Sequence, residues 1–249
     1  MPLRSALFRL YWPMERAITP GLEPSQHRYY AVVREHVRNA DWLDLGCGHC
    51  VFGNWMLEQQ KEVIEDCRSI VGADLDLEGL KKHQGIRDKC MASGYALPFR
   101  NQAFDLITAN MVVEHIGDPG ALFHEVSRVL RPGGRFIFHT PNRSGYSTIA
   151  ARCLPEFSKK PLARIIDGRE ADDVFPTHYR MNSAAEIMGY ASSVGLKAAV
   201  ELVCSSALTG SCAPAAFFEL LLLRLLRRKS LESYRPEIIA VVTKPAVTQ

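Results

Sequence analysis

The hydrophobic pattern over residues 40–140 sets short apolar runs against longer segments with helical spacing. "WLDLG" (42–46), "SIVGADL" (69–75), "AFDLITAN" (103–110) and "RFIFHTPN" (135–142) read as strands, with a shorter one near 90–92. Between them, helices are expected over 51–65, over 77–83 and across "PGALFHEVSRVLRPGG" (119–134). In that last segment Leu122, Val126, Val129 and Leu130 share one face, and Pro132-Gly133-Gly134 reads as the stop. Such alternation implies a parallel sheet with helices on both faces and right-handed crossovers.

The rhythm changes after residue 140. Residues 141–182 are loop-rich and mix basic, acidic and aromatic residues, as an insertion would. A capping box, Ser183-Ala-Ala-Glu186, opens a helix that ends near Gly195. "LKAAVELVCSS" and "EIIAVVTKP" are two late strands on either side of a leucine-rich helix, and they suit an antiparallel addition to the sheet.

The 249 residues, 47% hydrophobic and 23% charged, are enough for one α/β domain. A net charge of +3 is too small to argue for nucleic acid. Cys47 and Cys50 match C-x-x-C, but no second pair follows, so neither zinc nor a redox pair is expected. Seven cysteines and no secretory signal suggest reduced thiols and a cytoplasmic protein. "AAFFELLLLRLLRRKS" (215–230) is interrupted by Glu219 and Arg224 and is too short to span a bilayer. Its leucines suit a core or dimer helix. Arg224, Arg227, Arg228 and Lys229, like the aromatic-basic segment 1–20, could instead meet anionic head groups.

In an open α/β sheet, ligands bind beyond the carboxyl ends of the strands. "LDLGCGHC" (43–50) places Gly46 and Gly48 there, where backbone amides can approach a ligand with no Cβ in the way. Asp74 closes the second strand, where a carboxylate can accept from ribose hydroxyls. The absence of GxxxxGK[ST] and the presence of Asp44 argue against a phosphate and for a cationic or amino-bearing ligand.

"LDLGCGHC", "VGADLD", "YALPFRNQAFDLITANMVVEHI" and "VLRPGGRFIFHTPN" follow one another in the order and spacing of class I S-adenosylmethionine-dependent methyltransferases. The chain most resembles the subgroup, similar to methyltransferase type 11, that modifies small molecules. The resemblance is dense over 38–142 and topological over 183–245. It implies a Rossmann-like seven-stranded, mostly parallel sheet with an antiparallel last strand, helices on both faces and a lid insertion after strand five. The whole of 1–249 would then be one domain: N-terminal cap helices (1–37), a cofactor-binding core (38–142), the lid (143–182), and a C-terminal helix and strands carrying the Leu-rich helix (183–249).

The same resemblance implies roles for particular residues. Asp44, Gly46 and Gly48 would line the methionine and sulfonium part of S-adenosylmethionine, and Asp74 would hold the ribose. Ser93 stands where the family usually has an adenine-binding Asp, so Leu75 and backbone amides would serve adenine. Cys47, Gly94, Tyr95 and Asn110 complete the expected cofactor contacts. Cys50 replaces a third glycine, which would push its helix slightly away from the strand. His115 in "NMVVEHI" is the candidate base, with Tyr29 or Tyr30 as partner; a backbone-bonded histidine is the alternative. His139 is expected to be a buried structural histidine. In "DDVFPTHYR" (172–180), His178 is the expected substrate contact, while Asp172 and Asp173 suit a solvated loop.

Glu114 and His115 match a metal-using quinone-precursor branch, but Met111 replaces a further carboxylate, so no metal is expected. The implied reaction is methyl transfer to a small molecule, most readily at a hydroxyl oxygen. Carbon or nitrogen methylation, and a catalytically silent partner subunit, are the alternatives. Peripheral membrane contact through 1–20 and 215–230, and a homodimer, stay open as further partners.

Overall fold

In the computed structural model, which describes residues 11–153, 176–207 and 213–246, the apolar runs assemble into a seven-stranded sheet. Its strands are β1 (Asp41–Leu45), β2 (Ser69–Asp74), β3 (Asp88–Met91), β4 (Phe104–Asn110), β5 (Leu130–Pro141), β6 (Lys197–Val203) and β7 (Glu237–Thr243). They lie in the order β3-β2-β1-β4-β5-β7-β6. The pairs β3–β2, β2–β1, β1–β4 and β4–β5 are all parallel. β7 runs against β5: Gly133 and Gly134 exchange backbone bonds with Lys244, whereas at the far end the Asn142 N–H meets the Pro236 carbonyl. Opposed residue numbers fall on one strand as they rise on the other, the antiparallel last strand that the resemblance implies.

The central strands β1 and β4 bury nearly every residue, as parallel strands covered on both faces must. Edge strand β6 instead alternates exposed and half-buried positions. Helix α1 (Ser25–Val37) buries Tyr29, Val32, Val33 and Val37 along one stripe. α2 spans Leu57–Asp66 and α3 Leu77–Lys82. α4 (Pro119–Val129) begins with Pro119 at its first turn, and the Asp118 carboxylate accepts the Ala121 N–H at 3.0 Å. α5 spans Tyr146–Cys153 and α7 Ala213–Leu226. Between them, α6 (Ala184–Ser193) carries the expected capping box, with the Glu186 N–H on the Ser183 hydroxyl and that hydroxyl on the Glu186 carboxylate.

Two local expectations are corrected. The helix expected from residue 51 begins only at Leu57, because Gly53 and Asn54 break the chain into turns. Gln60 reaches back from α2 to accept the Val51 N–H at 2.8 Å. Cys50 therefore does not push a helix away from β1; it lies in a turn-rich segment anchored by buried Val51, Phe52 and Met56. The Pro-Gly-Gly sequence likewise does not end α4 but lies inside β5. There Gly133 takes φ +81, and the register slips between Phe104↔Leu130 and Leu106↔Arg135, as a bulge requires.

At the amino ends of the strands, Arg68 and Arg131 bridge Asp41 and Asp105. Burial alone would raise the Asp41 carboxyl, but Arg68, Ser69 and Arg131 hold it down at about 2.

The chain forms two compact units. One comprises Gln26–Thr140, Thr177–Glu201 and Ile238–Gln249, and it contains the glycine loop and His115. The other comprises Met1–Ser25, Pro141–Pro176 and Leu202–Glu237. Its core joins Tyr11, Ala216, Leu220 and Leu223, with Met14, Ile18, Leu22, Tyr146 and Cys204 against them. Buried Glu219 accepts from the Tyr146 hydroxyl (2.5 Å), the Ser206 hydroxyl (2.6 Å) and the Ala207 N–H (2.8 Å). Residues 1–10 and most of the expected lid, with Asp172 and Asp173, lie outside the described residues.

Candidate active site

The strand order reverses between β1 and β4, so their carboxyl ends open a crevice where α/β sheets bind ligands. The glycine loop leaves β1 there in a left-handed path, with φ +67 at Gly46 and +48 at Gly48. Three bonds hold it: Gly46 and Cys47 donate to the Ala73 carbonyl, and Gly48 donates to Asp74 Oδ2 at 2.8 Å. The two glycines serve different purposes. A Cβ on Gly46 would stand 2.4 Å from Val112 Cγ2, three residues before His115. A Cβ on Gly48 would meet nothing within 4 Å, which leaves an open cradle above the backbone.

Gly46→Ala is accordingly expected to destabilise the fold. The left-handed conformation costs about 1–2 kcal/mol for a residue with a Cβ, and overpacking typically adds about 1–3 kcal/mol. Chemical denaturation checks this, and adding Val112→Ala should recover the steric share only.

Asp44 is buried, and its neighbours account for only half of it. Oδ1 accepts the Thr108 hydroxyl at 2.5 Å, and that oxygen in turn receives Trp42 Nε1–H at 2.7 Å. Oδ2 has no hydrogen-bond partner among the described residues. Burial pushes the carboxyl up to about 8 against the Thr108 bond, and the negative charge of Asp74 adds to the rise. An orphaned buried carboxylate oxygen beside an open cradle suits a bound cation. The positive methionine end of S-adenosylmethionine fits these residues.

The sign of the linkage can be tested. Below about pH 8 the ligand-free Asp44 holds a proton, and a cationic ligand expels it. Titrating S-adenosylmethionine in buffers of different ionisation enthalpy should show proton release below that pH, with affinity rising as pH approaches it. Asp44→Asn should abolish that component of the release.

Asp74 positions the loop with both oxygens, taking the Gly48 N–H on Oδ2 and the Asp76 N–H on Oδ1, each at 2.8 Å. Each oxygen keeps a second lone pair for a ribose hydroxyl. Leu75 is 68% exposed beside it, an apolar surface where a purine could rest. Ser93 accepts the Tyr95 N–H at 3.2 Å, and a Cβ on Gly94 would stand 3.1 Å from Leu122 Cδ1 and 3.5 Å from Leu45 Cδ2.

Other expected contacts are committed elsewhere. The Cys47 thiol is turned toward Gly72 of β2, so close that a Cβ there would stand 2.7 Å from it; burial pushes the thiol up. Asn110 forms a reciprocal amide pair with Gln26, donates to the Val51 carbonyl and has Oδ1 3.0 Å from His139 Nδ1. Its side chain ties α1, β5 and the loop together. The Tyr95 hydroxyl accepts the Gly117 and Asp118 N–H groups, bracing the chain just after His115.

β4 ends at Asn110, and Met111 turns the chain through φ +57 into a 3-10 turn, Val113–His115. His115 is partly exposed, with Nε2 4.0 Å from Glu114 Oε1. Burial raises the Glu114 carboxyl. Asn182 donates to the Thr140 oxygen at 2.7 Å, and the Thr140 hydroxyl donates to Glu114 Oε2 at 3.0 Å. The backbone of His178 and Tyr179 docks on the Glu114 carbonyl, and Arg180 donates to the Gly117 carbonyl at 2.6 Å. The His178 ring and the Tyr95 hydroxyl both flank Gly117, within 4 Å of where its Cβ would be. His115 and His178 are therefore attached to one loop.

Tyr30 is not brought there. Its hydroxyl donates to Glu62 of α2 at 2.5 Å, and Arg34 pairs with the same carboxylate. Tyr29 faces inward instead, buried and stacked on His139 with ring centroids 5.6 Å apart. His139 is itself buried, as expected. The sequence reading missed the Trp42–Thr108–Asp44 chain and the Asn182–Thr140–Glu114 chain. A threonine inside "DLITAN" was the available signal, since a buried hydroxyl in a parallel strand needs a partner. The register places Thr108 beside Asp44.

Residues 25–199 match the family model of the methyltransferase domain, and the chain belongs to that family. It is 35% identical over 105 residues to the malonyl-[acyl-carrier protein] O-methyltransferase of Hahella chejuensis, covering 40% of this chain and 36% of the relative. It is 24% identical over 167 residues to the ubiquinone biosynthesis O-methyltransferase of Klebsiella pneumoniae, covering 62% and 65%. The matches thus span between about one third and two thirds of these relatives' lengths. The fold is shared with an S-adenosylmethionine dependent methyltransferase from Mesorhizobium loti, at TM-score 0.56 and 18% identity over 87% of this chain and 96% of that one.

Proposed function

We propose that the chain transfers a methyl group from S-adenosylmethionine to a hydroxyl oxygen of a small molecule, with His115 as the general base. The observation that carries this reading is the placement of His115. It stands on a turn at the carboxyl end of β4, and Val112 of the same segment abuts Gly46 of the glycine loop. That both relatives named above are O-methyltransferases supports the choice of oxygen.

Bound S-adenosylmethionine supplies an electrophilic methyl on a sulfonium sulfur. Asp44 and the Gly48 cradle hold its methionine end, Asp74 the ribose, and Leu75 and Ser93 the adenine. The His115 imidazole takes the proton of the acceptor hydroxyl, and Glu114 Oε1 stabilises the imidazolium that forms. His178 touches the acceptor from the other side of the same loop. Tyr30 contributes nothing to the proton transfer in this reading. The chain works as a single methyltransferase domain in the cytoplasm, which the free thiols of Cys47, Cys50, Cys67, Cys90 and Cys204 support.

Incubation with methyl-labelled cofactor and panels of phenols, carboxylic acids, amines and activated carbon acids tests the reading. Labelled ether or ester products are expected. Products only at carbon or nitrogen would overturn the oxygen assignment, and cofactor binding without transfer to any panel would favour a silent subunit.

A further inference from the structure

The second unit exposes a face that methyl transfer does not use. α7 buries Ala216, Glu219, Leu220, Leu223 and Leu226 along one stripe. The opposite face leaves Phe217, Phe218, Leu221 and Leu225 exposed, with Phe218 at 69%. Four exposed large apolar side chains within nine residues are not the scattered surface hydrophobics of an ordinary helix. Charge then follows apolarity along the same helix. From Leu220 to Leu231 the sequence holds four basic residues and no acidic one.

Among the described residues, none of Arg224, Arg227, Arg228 and Lys229 pairs with a carboxylate. Arg224 and Arg227 reach the backbone carbonyls of Ile18 and Pro20, and Tyr11 packs on Ala216 and Leu220. Helical residues 11–18 thus lie alongside α7 in the same direction, and they add an exposed Trp12.

From this arrangement we propose that the outer face of α7 docks on an anionic lipid bilayer. Three features select that occupant. Uncompensated cations beside exposed aromatics match negative head groups above an apolar layer. An isologous dimer with its two-fold axis along α7 would bring the same arginines toward one another, which disfavours a second copy in that arrangement. With 14 residues, α7 is roughly 21 Å long at 1.5 Å per residue, short of the ~30 Å hydrocarbon core. No helix among the described residues is long and apolar enough to cross a membrane. The helix would therefore lie in the interface plane.

Co-sedimentation of the full chain with vesicles tests the proposal, using phosphatidylcholine alone and phosphatidylcholine mixed with phosphatidylglycerol. Binding is expected only to the mixed vesicles, and added salt should weaken it. Arg228→Gln with Lys229→Gln should lower partitioning roughly 30-fold, each basic residue being worth about a fivefold factor. Phe218→Ser should lower it at least about tenfold. Both variants change exposed side chains, and unchanged S-adenosylhomocysteine affinity would show that they fold. Equal binding to both vesicle types, no binding to either, or variants that sediment like wild type would overturn the proposal. So would light scattering that shows Phe218→Ser splitting a dimer, which would make this face a self-interface.

Discussion

Turnover of the His115→Ala variant should fall roughly 10²–10⁴-fold, the usual contribution of a positioned general base, while cofactor affinity stays near that of wild type. His115 sits after the end of β4, partly exposed, while the groups proposed to hold the cofactor belong to β1, β2 and their loops. Removing its imidazole takes nothing from Asp44, Gly48 or Asp74, so S-adenosylhomocysteine binding should not move. A purely structural histidine would behave differently, lowering thermal stability while turnover per folded molecule survived. Glu114→Gln separates the two roles further. It keeps an acceptor for Thr140 but removes the negative charge that would stabilise an imidazolium, so it should lower kcat with little change in KM. Near-normal turnover in both His115→Ala and His178→Ala would mean that neither is the base, and an acceptor that is already ionised or intrinsically nucleophilic would be required.

Asp74→Ala should weaken cofactor binding by about 10²-fold or more. Hydrogen bonds to a charged group contribute about 1.5–3 kcal/mol, and this carboxylate is proposed to offer two to the ribose while it also fixes the Gly48 amide. Asp74→Asn should lose less, because one amide oxygen can keep an acceptor in place. Calorimetric titration with S-adenosylhomocysteine resolves both variants. Affinity within a few-fold of wild type in Asp74→Ala would remove the ribose role.

The sheet was legible because its chemistry is local. Buried parallel strands favour apolar runs, and β1, β4 and the Phe136–Phe138 stretch of β5 carry them. The start of α2 was not read, because Gly53 and Asn54 turn the chain before it and Gln60 then reaches back to Val51. Nor was the bulge at Gly133, since Pro-Gly-Gly signals a stop equally well in a helix and in a strand. That Asp44, Gly48 and Asp74 lie together at the carboxyl ends of β1 and β2 could be read from position alone. The partners of Cys47, Tyr95 and Asn110 could not. Whether a side chain next to a ligand loop faces the ligand or braces the loop depends on partners far along the chain, such as Gly72, Gly117 and Gln26. Between adjacent tyrosines, the helical face decides: Tyr29 turns inward to His139, and Tyr30 turns to Glu62.

The crevice beside Gly48 is proposed to hold S-adenosylmethionine. Calorimetric titration of S-adenosylhomocysteine into wild type and Gly48→Val tests it most directly. Valine at φ +48 would be strained and would fill open space beside the loop, while its Cβ touches no protein atom within 4 Å. The account predicts one-to-one binding by wild type and none by a Gly48→Val chain whose circular dichroism is native. Binding of equal strength by both, or none by wild type, would contradict it.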